Sequence, residues 1–251
     1  MKIHGTAKGG ALSTKDFGVA FGGAAAAFSP TDISDLFAWY DASDIDTITK
    51  SGANVVSNWA NKEGTSSRDL DDGNADPLWV SADRNGLDVI NFASNKFLET
   101  SSAWSAISQP NTIFFVLLTP NGLSTNQDWL FTQHKDESGD SHALVVGDGT
   151  NYKWDMRGGA LITFTDAAVC GNWQYITMVY NNLSSDIRFG GVSKATGDAS
   201  GNDFSGLTMA SYEGGSNFAN TKYGEFIVYD KLLTSGEISQ VEDYLSEKWG
   251  F

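Results

Sequence analysis

The sequence predicts an all-β protein: two antiparallel sheets packed face to face as a jelly-roll sandwich, with one C-terminal helix and an extended N-terminal arm. Three observations carry that expectation. After Pro30, more than ten short segments that favour strands recur between clusters of Gly, Asn, Asp and Ser. The amphipathic helices that a parallel α/β fold needs between its strands are missing until the end of the chain. The opening stretch "MKIHGTAKGGALSTKDFGVAFGGAAAAF" is too poor in large apolar side chains to fold alone.

The arm, residues 1–30, comes first. Glycine loses more backbone freedom on ordering than any other residue, and fixing a residue costs about 1–2 kcal/mol. An ordered arm therefore needs a surface, either a partner's or that of its own sandwich. Phe17, Val19, Phe21 and Phe28 are its sparse apolar anchors, and Lys8 is a cation for a partner's acids. Such a strip could thread a partner's groove or add hydrogen bonds to an exposed strand edge. "DFGVAFGGAAAAF" has some features of a signal peptide, but Asp16 and the glycines interrupt it, and an uncleaved arm is expected.

The sandwich is expected over 31–251. Its clearest strands are "TIFFVLL" (112–118), "DWLFTQ" (128–133), "HALVVG" (142–147), "NYKWDMR" (151–157) and "ALITFT" (160–165). "NWQYITMVYN" (172–181), "DIRFGGV" (186–192) and "KYGEFIVYD" (222–230) follow. Alternation directs Phe226 and Val228 one way and Ile227 and Tyr229 the other. "TIFFVLL" is apolar throughout, as suits a strand covered on both faces. In the last segment Thr234 and Glu237 have capping-box spacing. Ile238, Val241, Leu245 and Trp249 then share one helix face, and Glu242, Asp243, Glu247 and Lys248 are expected in water.

Charge narrows the partners. The chain carries −15, and three lysines against Asp16 give residues 1–28 a charge of +2, leaving −17 for the rest. Such a body repels nucleic-acid phosphates and anionic lipid. No apolar run reaches the roughly 18 residues that would span a bilayer. Cys170 is the single cysteine, so no intrachain disulfide forms, and it reads as a small buried apolar residue. Folding without disulfides fits assembly in a reducing cytoplasm, and also many secreted bacterial proteins.

Catalytic patterns are absent. No Gly-x-Ser-x-Gly elbow occurs, and "GTAKGG" lacks the ending of a phosphate loop. Glu225 stands alone in "YGEFIVYD", and Asp41, Asp44 and Asp46 fall at a strand end and turn without a glutamate. Binding candidates concentrate in 129–157. Trp129, His134, Tyr152, Trp154 and Arg157 are the aromatic and polar groups that a sugar would need, although both tryptophans could equally belong to the core. "HKDESGDSH" offers Asp136, Glu137 and Asp140 as oxygen ligands for Ca²⁺, or is a solvated hairpin tip. His134 and His142 flank that loop, as polar loop residues or a weak metal pair.

Two stretches carry a resemblance. "ISDLFAWYDASDIDTITKSGANVVSNWANKEGTSSRDL" with "DPLWVSADRNGLDVINFASNKFLET", and "YGEFIVYDKLLTSGEISQVEDYLSEKWGF", are similar to the opening and closing of laminin-G-like domains. These form a branch of the concanavalin A-like lectin/glucanase superfamily. "NWQYITMVYNNLSSDIRFGGV" resembles the branch's central strand pair, with Gly190-Gly191 where an Asn-Gly-like corner is usual. The carboxylate strand motif of glucanases on this fold, Glu-x-Asp-x-x-Glu, is not found. "GTAKGGALSTKDFGVAFGG" resembles short N-terminal segments of tailed-bacteriophage structural proteins. Together the two resemblances imply a non-enzymatic virion protein: a head fibre, decoration protein or tail adhesin. Its arm would meet other capsid or tail proteins, its sandwich could meet a host glycan, and a homo-oligomer such as a trimer follows from virion symmetry. The alternatives are a secreted carbohydrate-binding module and a glycoside hydrolase with an unrecognised site.

Overall fold

The computed structural model describes residues 27–73, 76–93, 95–121, 127–134, 142–147, 151–212 and 215–251. Among these the first strands are β1 (Leu36–Asp41), β2 (Ile48–Lys50), β3 (Val56–Trp59), β4 (Leu70–Asp72), β5 (Leu78–Arg84), β6 (Leu87–Asn91), β7 (Leu98–Thr100) and β8 (Asn111–Leu118). Then come β9 (Asp128–Thr132), β10 (Ala143–Val146), β11 (Lys153–Arg157), β12 (Leu161–Thr165), β13 (Trp173–Tyr180), β14 (Ser185–Phe189), β15 (Val192–Gly197), β16 (Thr208–Met209) and β17 (Lys222–Tyr229). Helix α1 (Ser235–Trp249) closes the chain. One sheet runs β15-β14-β13-β8-β17-β6-β5 with β1 also paired to β17, and the other runs β12-β11-β10-β9-β16-β7-β4-β3-β2. Neighbouring strands are antiparallel throughout, for instance β13 with β8 and β11 with β12.

Alternation sorts the side chains as expected. In β17 Phe226 and Val228 face the space between the sheets, while Ile227 and Tyr229 face outward. In β8 Ile113, Phe115 and Leu117 point inward, and Phe114 and Val116 outward. The rings of Phe115 and Phe226 from one sheet and Phe131 from the other meet at centroid distances of 5.3–5.6 Å, joining the layers at their centre. Each such buried ring contributes about 1.5–3 kcal/mol through the apolar area it removes from water. Tyr223 spans the gap and donates to the Leu130 carbonyl at 2.7 Å.

The segment 186–192, read as one strand, is divided. β14 ends at Phe189, and Gly190 and Gly191 turn the chain into β15 with φ of 57° and 76°. A two-residue hairpin of this hand needs positive φ at both corner positions, which glycine supplies without strain.

The second apolar layer lies outside the first sheet, under α1. Val241, Leu245 and Trp249 pack on Val89, Phe114, Val116 and Ile227, so the helix covers a sheet face. Thr234 and Glu237 form the expected capping box, and Gly250 ends the helix at φ 72°. The expectation that Glu242 and Lys248 face water is corrected. Glu242 is buried, accepting from Thr177 at 2.8 Å and from Arg188 Nε at 2.9 Å, and Lys248 turns inward to Asp41 and Glu225. Phe28 also packs here, half-buried: its ring meets Tyr244 of α1 edge-on at 5.8 Å. No helix among the described residues is long and apolar enough to cross a membrane.

Candidate functional site

The outer face of the nine-stranded sheet differs from that of its partner, because no helix covers it among the described residues. Register places Leu161, Arg157, Ala143, Thr132, Thr208 and Glu99 in one row running across β12, β11, β10, β9, β16 and β7. The next row holds Thr163, Asp155, Val145 and Trp129. The intervening positions Leu144, Val146, Trp154, Met156 and Ile162 belong to the inter-sheet core, which fixes the direction of both rows. Small Ala143 and Val145 on β10 leave room for Arg157 to reach diagonally across that strand. Its guanidinium lies 4.6 Å from the Trp129 ring centre, a cation–π geometry.

Trp129 is only 4% exposed and its ring meets that of Tyr212 at 4.3 Å. It is therefore a platform for Arg157 and not an open stacking face. Its indole N–H is buried and has no hydrogen-bond partner. A buried donor left unmatched costs about 1–3 kcal/mol. Beside it, buried Asp155 accepts from Thr163 at 2.7 Å and from Lys153 Nζ at 3.0 Å. On the far side buried Glu99 accepts from Thr208 at 3.1 Å. Among the described residues the face thus carries half-buried Arg157 beside exposed Thr163 and Leu161, while Asp155, Glu99 and the Trp129 indole lie buried beneath.

The remaining candidates are dispersed. Trp154 lies wholly in the core between Phe164 and Phe189 and reaches no ligand on the outer face; the alternation that pairs it with Met156 is what directs it inward. Tyr152 precedes β11, half-buried. His134 and His142 lie outside β9 and β10, as expected of loop residues, but both are buried. His142 stacks on Phe204 and Tyr180, and Asn111 meets its Nε2 at 3.1 Å. Burial pushes its pKa down to about 3. Cys170 is half-buried, its thiol directed at the Asp166 carbonyl. Asp136, Glu137 and Asp140, and Lys8, Phe17, Val19 and Phe21, lie outside the described residues. Among the described residues, no group of three or more His, Cys, Asp and Glu is placed to hold a metal ion.

Sequence reasoning missed a second polar centre, beneath α1. Glu225 is fully buried and sits opposite Asp41 across the β1–β17 pair. It accepts from the indoles of Trp39 at 2.6 Å and Trp249 at 2.8 Å, from Tyr244 at 2.9 Å, and from Lys248 at 2.9 Å. Lys248 also reaches Asp41 at 2.8 Å, and Lys62 bridges Asp41 and Asp44 at 3.1 and 2.7 Å. Burial first, then the charge of Asp41, raise the pKa of Glu225, while Lys248 and Trp249 oppose them. Burial would raise Asp41 too, but Lys248, Ser43 and Lys62 outweigh it and hold that carboxyl low. With its oxygens saturated, Glu225 is an anchor for the helix. The signal was present in "YGEFIVYD": a charge in an apolar strand must be buried with donors around it.

No protein-family profile matches the chain, and no curated protein matches it either. Solved structures do. The botulinum neurotoxin serotype D binding domain is similar at a TM-score of 0.55 and 12% identity, over 84% of this chain and 51% of that one. The serotype D ligand-binding domain solved with N-acetylneuraminic acid aligns at 0.53 and 11%, again over 84% and 51%. Trypanosoma rangeli sialidase solved with sialic acid aligns at 0.53 and 14%, over 86% of this chain and 33% of that one. The chain therefore spans about half the length of the toxin domains and a third of the sialidase. At such identities the likeness shows the fold alone: a two-sheet antiparallel β-sandwich.

Proposed function

We propose that the protein is a non-enzymatic carbohydrate-binding sandwich displayed on a phage virion, joined to the particle through its N-terminal residues, with a host-surface glycan as its ligand. The observation that carries the binding role is the strand-borne outer face, where half-buried Arg157 lies over Trp129 beside exposed Thr163 and Leu161. Sugars need directed donors and acceptors held on a rigid frame, and these rows supply them. A toxin domain and a sialidase of similar fold, solved with N-acetylneuraminic acid and with sialic acid, make a glycan the natural class to test. The virion role rests on the resemblance of the arm to phage structural proteins.

The non-enzymatic reading has geometric support. Among the described residues, the buried carboxylates of the face, Asp155 on β11 and Glu99 on β7, are four strand spacings apart in the sheet order. That separation is roughly 19 Å, against about 5–10 Å for the working pair of a glycosidase.

A glycan array probed with the full chain and with Arg157→Gln tests the proposal. Wild type is expected to retain a discrete set of glycans without cleaving them. Arg157→Gln should lower that signal about tenfold, the 1–2 kcal/mol of a charge-assisted contact, at an unchanged unfolding midpoint. An array with no glycan above background, or a signal indifferent to the substitution, refutes the assignment to this face.

A further inference from the structure

A cavity of about 480 Å³ opens where the described chain begins, between Phe28 and the outer side of α1. Ala27, Phe28 and Tyr244 give it apolar walls, and Gln240, Asp243 and Glu247 give it a polar rim. Asp243 and Glu247 are exposed, one helical turn apart, and make no ion pair among the described residues. Lys248, the cation beside them, is committed to Asp41 and Glu225 at 2.8 and 2.9 Å and does not neutralise them. Tyr244 likewise directs its hydroxyl to Glu225, presenting its ring to the cavity. The result is an aromatic slot with an uncompensated acidic edge.

We propose that this cavity receives residues 15–26 of the same chain, with the ring of Phe17 or Phe21 against Phe28 and Tyr244 and with Lys15 paired to Asp243 and Glu247. Position argues for that occupant. Ala27 is part of the wall, so the preceding residues are tethered at the mouth, and a short tether raises local concentration into the millimolar range. Reach is sufficient: Phe21 lies six residues before Ala27, which spans about 20 Å when extended. The helix face from Gln240 to Lys248 is only about 12 Å long. Charge is complementary, since the arm holds Lys2, Lys8 and Lys15 against Asp16 alone. Gly18, Gly22 and Gly23 flank the two phenylalanines and permit both the turn and a close backbone approach. This contact does not depend on the glycan or virion assignments. In a free protomer it parks the arm, and any assembly partner must displace it.

The test uses the full chain carrying benzoyl-phenylalanine at Gln240, with the same probe at exposed Leu183, away from α1, as control. Isotope-mixed protein is irradiated and the crosslinks are mapped by mass spectrometry. The expected product joins position 240 to a peptide within residues 1–26 of the same molecule, and position 183 does not form it. Reversing the rim with Asp243→Lys and Glu247→Lys should cut the yield about fivefold, the size of two exposed ion pairs. Crosslinks from position 240 that fall only elsewhere, that join only separate molecules, that are absent, or that ignore the charge reversal overturn the proposal.

Discussion

Glu225→Gln removes one charge from the centre of the helix–sheet junction while keeping its shape. Trp39 and Tyr244 donate to Oε1, and Lys248 and Trp249 donate to Oε2. A glutamine can accept only through its carbonyl oxygen, so in either orientation its amide N–H₂ faces two donors. Two hydrogen bonds are lost, at about 1–3 kcal/mol for each buried group left unmatched. Lys248 keeps Asp41 at 2.8 Å, which offsets part of the loss. The expected destabilisation is about 3–4 kcal/mol, near the cost of breaking a buried ion pair. Urea unfolding at pH 7 should show a lower midpoint at an unchanged slope, and for a chain of this size the melting temperature should fall by roughly 6–16 °C. A double-mutant cycle with Lys248→Met isolates the pair: a coupling of 1 kcal/mol or more is expected from groups in direct contact. Burial and Asp41 both raise the Glu225 pKa. A Glu225→Gln loss below about 1 kcal/mol would therefore mean that the side chain is already a neutral acid at pH 7, and the ionic anchor would be refuted.

His142 makes the fold acid-sensitive. Its pKa is pushed down to about 3 by burial, so below the unfolded value near 6.5 the unfolded chain takes up a proton that the folded chain refuses. Stability is intact above that value and is lost as pH falls toward 3, by at most about 4–5 kcal/mol from this group. His142→Phe should flatten the pH dependence of the unfolding free energy over that window, and parallel curves for the two proteins would refute the assignment. On the proposed virion role, deleting residues 1–26, which keeps Phe28 on Tyr244, should leave a cooperatively unfolding sandwich that fails to join a particle; normal incorporation counts against that role.

Local pattern alone was enough for most strands from β8 onward, the helix and its capping box, because each depends on neighbours a few residues away; it ran β14 past the Gly190–Gly191 corner. Alternation also predicted the two faces of β17, and the unbroken apolar run of β8 its cover on both sides, since neither needs knowledge of the partner strand. It could not say which face of β11 meets the core. Trp154 and Arg157 lie three residues apart in one apparent binding segment, yet one is sealed between the sheets and the other lies outside. That choice depends on the register with β10 and β12, and so on the tertiary packing of the whole layer. The same holds for Glu225, which stands alone in sequence and gains its donors from β1 and α1 only once they are brought together. Periodicity along one strand settles what is apolar and where it recurs; which of its faces becomes interior, and which distant donors reach a buried charge, is decided by long-range contacts that no local pattern encodes.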